Sequence, residues 1–261
     1  MSRRQGSESI RALVNHWRWL VDQGPSYKDQ AASCKLQAAS LTRQHYRDIV
    51  SYKIQEKVNN KIKEAEAITH TLSKPGKMPG FAYSTPAHEC KTGTKLRAVA
   101  GSVCANCYAY KRGRYRFQNV IDAQYKRFRS LTHPKWVEAM AAQINSKKVK
   151  YFRWHDSGDV QNLDHLRRIY EVCKLTPEVK HWMPTREAWT KDYIVDAPDN
   201  LVVRFSIPMV DQAAIDSWPH TSTVTTKPGQ RTCPAPTQGN KCKDCRACWD
   251  KSIQNICYGE H

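Results

Sequence analysis

Two kinds of residue in this chain could do chemistry, paired carboxylates and clustered thiols. The carboxylates are Asp156 and Asp159, in the stretch YFRWHDSGDVQ at 151–161 with His155, Ser157 and Gln161 beside them. Two acids this close push their pKa values apart, so one can act as a nucleophile or stabiliser while the other moves a proton. Gly158 lets the backbone turn between them. Helix capping by Asp159 or Asn162 explains one acid, but does not require two acids, a histidine and a glycine together.

The thiols fall into two groups. Cys233, Cys242, Cys245 and Cys248 lie near the end of the chain, with Cys257 and His261 close behind. Four thiolates at these spacings close a tetrahedral zinc site or hold a 4Fe–4S cluster, and the same residues fit both. The second group is Cys90, Cys104 and Cys107. Three cysteines hold a cluster with one open iron, or recruit a fourth ligand. The plainer alternatives are small buried side chains, or a site shared with the tail cysteines. Cys34 and Cys173 sit in helical patterns and read as core residues.

Stepping outwards, Tyr151 to Trp154 alternate ring and charge as a strand does, and Leu163, Leu166, Ile169, Tyr170 and Cys173 recur at helical spacing. A strand followed by a helix places the acids at a strand's carboxyl end, where βα proteins keep their reactive groups. Further strands are expected at 179–184, ending in Pro184-Thr185-Arg186, and at 201–207, leading to Asp211. Helices are expected at 119–130 and 134–145, and another after Arg186. The alternation predicts an α/β fold, a compact or partial TIM-like barrel, because about 180 residues is short for a full barrel of ~250. Ahead of it, helices are expected at 9–23, around 27–36 and at 42–72, the first stopped by Gly24-Pro25. They are compatible with a helix-turn-helix reader or a plain bundle. KPGKMPG at 74–80 is the expected break. The expected organisation is a basic helical region over 1–73, a barrel-like catalytic domain over 81–230 and a cysteine-rich metal subdomain over 231–261.

The formal net charge is +18 over 261 residues. Basic residues outnumber acidic ones 14 to 7 over 1–80 and 14 to 3 over 81–150, and balance 14 to 14 over 151–261. A front half that holds a polyanion and a neutral half that supplies chemistry is the natural reading, with nucleic acid as partner. Lys111, Arg112, Arg114, Tyr115 and Arg116 interleave cations with an aromatic ring, a pattern that grips phosphates and stacks on bases, or forms a solvated helix face. Mean hydropathy is −0.71, and no apolar run reaches the length of a membrane span. MSRRQGSESI lacks the pattern of a signal peptide, so a cytoplasmic protein is expected, in the host cytoplasm if phage-encoded. Ten cysteines there are not expected to form disulfides.

Two resemblances follow from these motifs. DSGDVQ at 156–161, MPTREA at 183–188 and the tail Cys242, Cys245, Cys248 and His261 resemble, in the same order, segments of the tRNA-guanine transglycosylases. That superfamily includes phage DNA transglycosylases of the DpdA type. The resemblance implies a zinc subdomain in the tail and exchange of guanine in DNA for a free 7-deazaguanine base. The family's nucleophilic aspartate falls on Lys180, which moves that role to Asp159 or Asp211. The second resemblance runs from CxxCYA at 104–109 through HDSGD at 155–159, and is to the phage gene product 88 family. That family in turn resembles radical-SAM-like barrels with a three-cysteine cluster site.

The leading expectation is base exchange in DNA, on a base flipped into a pocket at the strand ends. Asp156 or Asp159 attacks or stabilises the anomeric carbon, its partner carries the proton, and Arg186, Arg204 and Gln161 contact base or phosphate. The alternatives are a radical enzyme that cleaves S-adenosylmethionine at a cluster on Cys90, Cys104 and Cys107, and a metal-stapled nucleic-acid binder without catalysis.

Overall fold

The computed structural model describes residues 3–22, 28–111 and 113–260. The chain divides into two compact units, residues 1–61 and 62–261. In the first, α1 (Arg3–Asp22) starts earlier than its apolar stripe implies, and α2 (Lys28–Thr69) continues past the unit's end as one helix of 42 residues. The two separate helices expected over 27–36 and 42–72 are thus one. The sequence between them, Leu36 to Leu41, consists of Leu, Gln, Ala and Ser with no breaker, so nothing interrupts the ladder. A helix of about 63 Å does not match the short elements of a helix-turn-helix reader. The Gly24-Pro25 stop lies outside the described residues. Within this unit Lys35 Nζ sits 5.9 Å from the Trp17 ring, and Ala38 is buried.

The second unit is a mixed α/β structure built on six parallel strands. They are β1 (Phe81–Tyr83), β2 (Tyr151–Trp154), β3 (Lys180–Thr185), β4 (Leu201–Val210), β5 (Thr221–Thr225) and β6 (Asn255–Gly259). Each pairs with its neighbour in sequence, in the order β1-β2-β3-β4-β5-β6. All carboxyl ends therefore lie along one edge. The expected break at 74–80 falls inside this unit: Ser73 and Ala82 exchange two 2.8 Å main-chain hydrogen bonds, and 74–80 is the turn between them. The cysteine-rich tail is not a separate body either, since it ends in β6, which pairs with β5 over all five residues.

The remaining helices are α3 (Lys91–Leu96), α4 (Tyr108–Lys111), α5 (Gln118–Ser130), α6 (Trp136–Ser146) and α7 (Leu163–Lys174). The helix expected after Arg186 is a 3-10 segment, Ala188–Asp196. One sheet face carries Tyr83, Phe152, Trp154, Met183 and Val203, packed against Trp136, Met140 and Ile144 of α6 and Leu166, Ile169 and Cys173 of α7. This is the core. Burial of large apolar chains at ~25 cal/mol per Å² is what holds the helices to the sheet. Asn162 caps α7, its side chain accepting from His165 N at 2.8 Å, so the cap is Asn162 and Asp159 is released for another task.

The other face is covered by the tail. The register pairs Arg153 with Trp182 and Pro184 with Arg204. Trp249 packs edge-on to Tyr151 and Trp182 and donates to Phe152 O at 2.8 Å.

Candidate active site at the carboxyl edge of the sheet

The segment joining β1 to β2 folds over the carboxyl edge and is tied to it strand by strand. Thr85 N donates to Ser157 O after β2 (2.9 Å), and Thr92 N to Glu187 Oε1 after β3 (2.9 Å). Val103 N donates to Pro208 O, and Val210 N to Gly101 O, both 2.9 Å, which attaches the segment to β4. Three cysteines ride on this cap: Cys90 before α3, and Cys104 and Cys107 before α4.

Their thiols converge. A Cβ placed at Gly93 would lie 3.6 Å from Cys104 Sγ and 3.8 Å from Cys90 Sγ, so both sulfurs border one small space that glycine leaves open. Burial first, then the Asp159 carboxylate and the Cys107 and Cys104 thiols, push the Cys90 thiol well above its usual range. Cys104 is raised by burial, with Arg186 opposing and Cys107 and Asp159 adding to the rise. Three thiols, one acid and one guanidinium thus share a neighbourhood. Sequence spacing did not reveal Gly93, Glu187 or Arg97, whose cation faces the Tyr110 ring at 4.1 Å. No local signal marks them, because each acts through the closure of the cap.

The acids are all engaged, in different ways. Asp159 Oδ1 accepts from Val160 N (2.8 Å) and Oδ2 from Arg186 N (2.9 Å). Burial raises its pKa to about 6, against the lowering by Arg186 N, Thr185 and Val160 N. Asp156 Oδ2 accepts from Arg114 Nη2 (3.0 Å) and Tyr115 OH (3.2 Å), while Tyr108 OH donates to its main-chain carbonyl (2.7 Å). Its Oδ1 is buried with no hydrogen-bond partner. Asp211 is exposed, and its carboxylate is taken by Thr225 Oγ1, Thr226 Oγ1 and Thr226 N at 2.7–2.9 Å. Those bonds hold its pKa down. It caps the ends of β4 and β5, and among the described residues no hydrogen bond links it to Asp156 or Asp159.

His155 has a left-handed backbone, φ 55°, with its N–H held by Tyr83 O at 2.9 Å. Its ring lies against His165 and Trp154, and burial, with His165 and Arg153 nearby, pushes its pKa well down. Both ring nitrogens lack hydrogen-bond partners, as do Ser157 Oγ and Thr85 Oγ1. Buried polar atoms are normally satisfied, so these atoms and Asp156 Oδ1, in the loops after β1 and β2, are candidates to meet a polar ligand. Gly158 makes the close approach possible: at φ +84° its Cβ would meet Thr85 Oγ1 at 1.9 Å. Gln161 turns inwards, donating to Asp159 O at 2.7 Å.

One expected substrate contact falls elsewhere, and part of the basic run meets an acid. Arg204 is buried on the tail-covered face, with its guanidinium donors spent on six main-chain carbonyls. No donor is left for a base. Of the basic run, Arg114 and Tyr115 hold Asp156, Arg116 is exposed, Arg112 lies outside the described residues, and Lys111 closes α4. Arg114 thus pairs with an acid 42 residues away in sequence while it and Arg116 stay exposed to solvent.

The tail cysteines form a second group. Cys233, Cys242, Cys245 and Cys248 line one cavity of about 220 Å³. Cys257 is buried in β6 and His261 lies outside the described residues. Among the described residues, no set of three or more Cys, His, Asp or Glu is drawn into a closed ligand shell.

The family model for Gene product 88 matches residues 53–251, about three quarters of the chain. The chain belongs to the Gene product 88 family. The matched stretch contains both cysteine groups, the acidic loop and five of the six strands. No curated protein and no solved structure matches. Among the described residues, no helix is long and apolar enough to cross a membrane.

Proposed function

We propose that this member of the Gene product 88 family is an iron–sulfur enzyme of the radical S-adenosylmethionine kind that acts on nucleic acid. The observation that carries the reading is the convergence of Cys90, Cys104 and Cys107 beside Asp159 and Arg186, at the carboxyl edge of a parallel sheet. A sheet whose strands follow one another in sequence order is also how a partial barrel is built. The residues present fit the group: two thiols bordering a space left by glycine, a third that acts on both, and Arg186 and Arg97 to offset thiolate charge. A 4Fe–4S cluster with three protein ligands leaves one iron for S-adenosylmethionine and supplies the electron for its cleavage.

The chain's own contribution is positioning. Arg114, Tyr115 and Tyr108 hold Asp156 so that Oδ1 stays available, and Thr85, Ser157 and His155 present further hydrogen-bonding atoms to a bound molecule. The excess of basic residues over 81–150 supports a polyanionic substrate. The test is anaerobic reconstitution with iron and sulfide, followed by detection of 5′-deoxyadenosine from S-adenosylmethionine and dithionite. Cleavage that disappears in Cys90→Ser, Cys104→Ser and Cys107→Ser supports the reading. A fully loaded protein that does not cleave S-adenosylmethionine overturns it.

One observation favours base exchange in DNA as a second reading: the free Oδ1 of a buried, arginine-paired Asp156 could meet an anomeric carbon. Asp159 suits that role less, since main-chain N–H groups take both its oxygens. Under this reading labelled 7-deazaguanine enters guanine-containing DNA, and Asp156→Asn stops it. No incorporation by folded, metal-loaded protein removes it.

A further inference from the structure

The tail site is separate from the one just described, and its surroundings differ in kind. Its cavity is lined by four thiols and by apolar groups that include Pro234, Ala235, Ile253 and Ile256. A single bound ion or water needs only about 10–15 Å³ of such space. About 220 Å³ is room for a multi-atom occupant. Tyr258 OH lies 3.2 Å from Cys248 Sγ, a hydrogen bond towards one of the sulfurs.

Two arginines border this site without a carboxylate bound to either. Arg204 gives its hydrogen bonds to main-chain carbonyls, those of Ala247, Cys248, Asp250, Ile253 and Gln254 in the tail (2.8–3.3 Å), and of Thr221. Asp250 lies nearby, but Ser252 takes its carboxylate at 2.7–2.8 Å. Arg153 stacks on Trp182 at 4.5 Å and reaches Tyr108 OH at 3.4 Å, and its Nε has no partner. Both cations act on Cys248, and Arg153 also on Cys242. Buried charge normally has an opposite charge beside it; Asp156 acts on Arg153 and Asp250 on Arg204 without a direct ion pair, and the Cys248 sulfur adds to the negative side for both cations. A cluster on four thiolates carries net negative charge even with its iron.

We propose that Cys233, Cys242, Cys245 and Cys248 hold a second iron–sulfur cluster of the 4Fe–4S type, fully ligated by protein and charge-balanced by Arg153 and Arg204. Its ligands are other residues than those of the carboxyl-edge site, so it stands or falls separately.

The experiment uses the full chain carrying Cys90→Ser, Cys104→Ser and Cys107→Ser, purified and reconstituted without oxygen. About four iron and four sulfide per chain are expected to remain, as one 4Fe–4S cluster requires. Adding Cys242→Ser and Cys245→Ser should remove them. Folded triple variant with no iron, or with stoichiometric zinc in its place, overturns the proposal. A control independent of folding is Arg153→Gln in the wild-type chain. Losing the cation should leave iron content unchanged and lower the midpoint potential of the cluster signal that survives in the triple variant. An unchanged potential would remove Arg153 from the charge balance and overturn that part. Wild-type protein that keeps its tail iron but does not cleave S-adenosylmethionine would count against the proposed function alone.

Discussion

Cys90, Cys104 and Cys107 sit at the carboxyl edge of the sheet, among an acid, two arginines and several buried polar atoms without partners. Cys233, Cys242, Cys245 and Cys248 line a largely apolar cavity, under a tail that Trp249 and Arg204 fasten to the sheet. In the proposed arrangement the first group supplies three thiols, one fewer than a closed tetrahedral shell, and buried polar atoms without partners lie in the neighbouring loop. The second, as proposed, supplies four thiols, and Arg204 beside it has given its donors to main-chain carbonyls. Ligand number and the state of the neighbouring polar atoms together separate a site that reacts from one that is enclosed.

Four substitutions and one pH titration test this contrast. The largest effect is expected from Arg204→Met. It strands several buried carbonyls, each costing about 1–3 kcal/mol, so unfolding in urea should show a loss above ~3 kcal/mol. The carboxyl-edge site should keep its iron under conditions where the variant stays folded. Next comes Gly158→Ala, which forces a Cβ to within 1.9 Å of Thr85 Oγ1 at a φ of +84°. We expect a loss of about 3 kcal/mol, felt at the carboxyl edge and not at the tail cluster.

A third prediction concerns pH. Burial holds His165 and His181 down to about 3, so both are neutral in the fold. Unfolded, they titrate near 6.5, and the unfolded state binds more protons as pH falls below that value. Stability is therefore full above about pH 6.5 and falls between there and about 3, by up to ~1.4 kcal/mol per pH unit for each histidine. Urea midpoints at pH 7.5 and 5 measure this, and His181→Gln should flatten the slope. The smallest change in stability is expected at Gly93→Ala, where a helix gain of at most about 1 kcal/mol opposes a 3.0 Å contact of the new Cβ with Cys90 Cβ. It fills the space between Cys90 and Cys104, so iron at the carboxyl edge should drop while the tail cluster stays. Unchanged iron there would mean the three thiols do not use that space.

Local pattern carried part of the fold well. Ring-and-charge alternation located β2, and the helical stripe with Asn162 located α7, because both depend on neighbours a few residues away. β1, β5 and β6 were not legible. β1 has three residues, β5 reads TSTVT without apolar alternation, and β6 hides in a tail dominated by cysteines. Each is a strand only because a parallel neighbour satisfies its main chain.

The two cysteine groups, the position of Asp156 and Asp159 after a strand, and the uneven charge are legible in the sequence. These depend on residue type and short spacing alone. Which thiols meet and which acid keeps an open oxygen follow from the fold alone. It also turned Arg204 from a substrate contact into a staple for the tail, and Arg114 from a phosphate grip into the partner of Asp156. Those outcomes rest on contacts between residues 40 or more positions apart. Hydrogen-bond donors and charges are satisfied by whatever the fold brings beside them, and no periodicity in the chain records that choice.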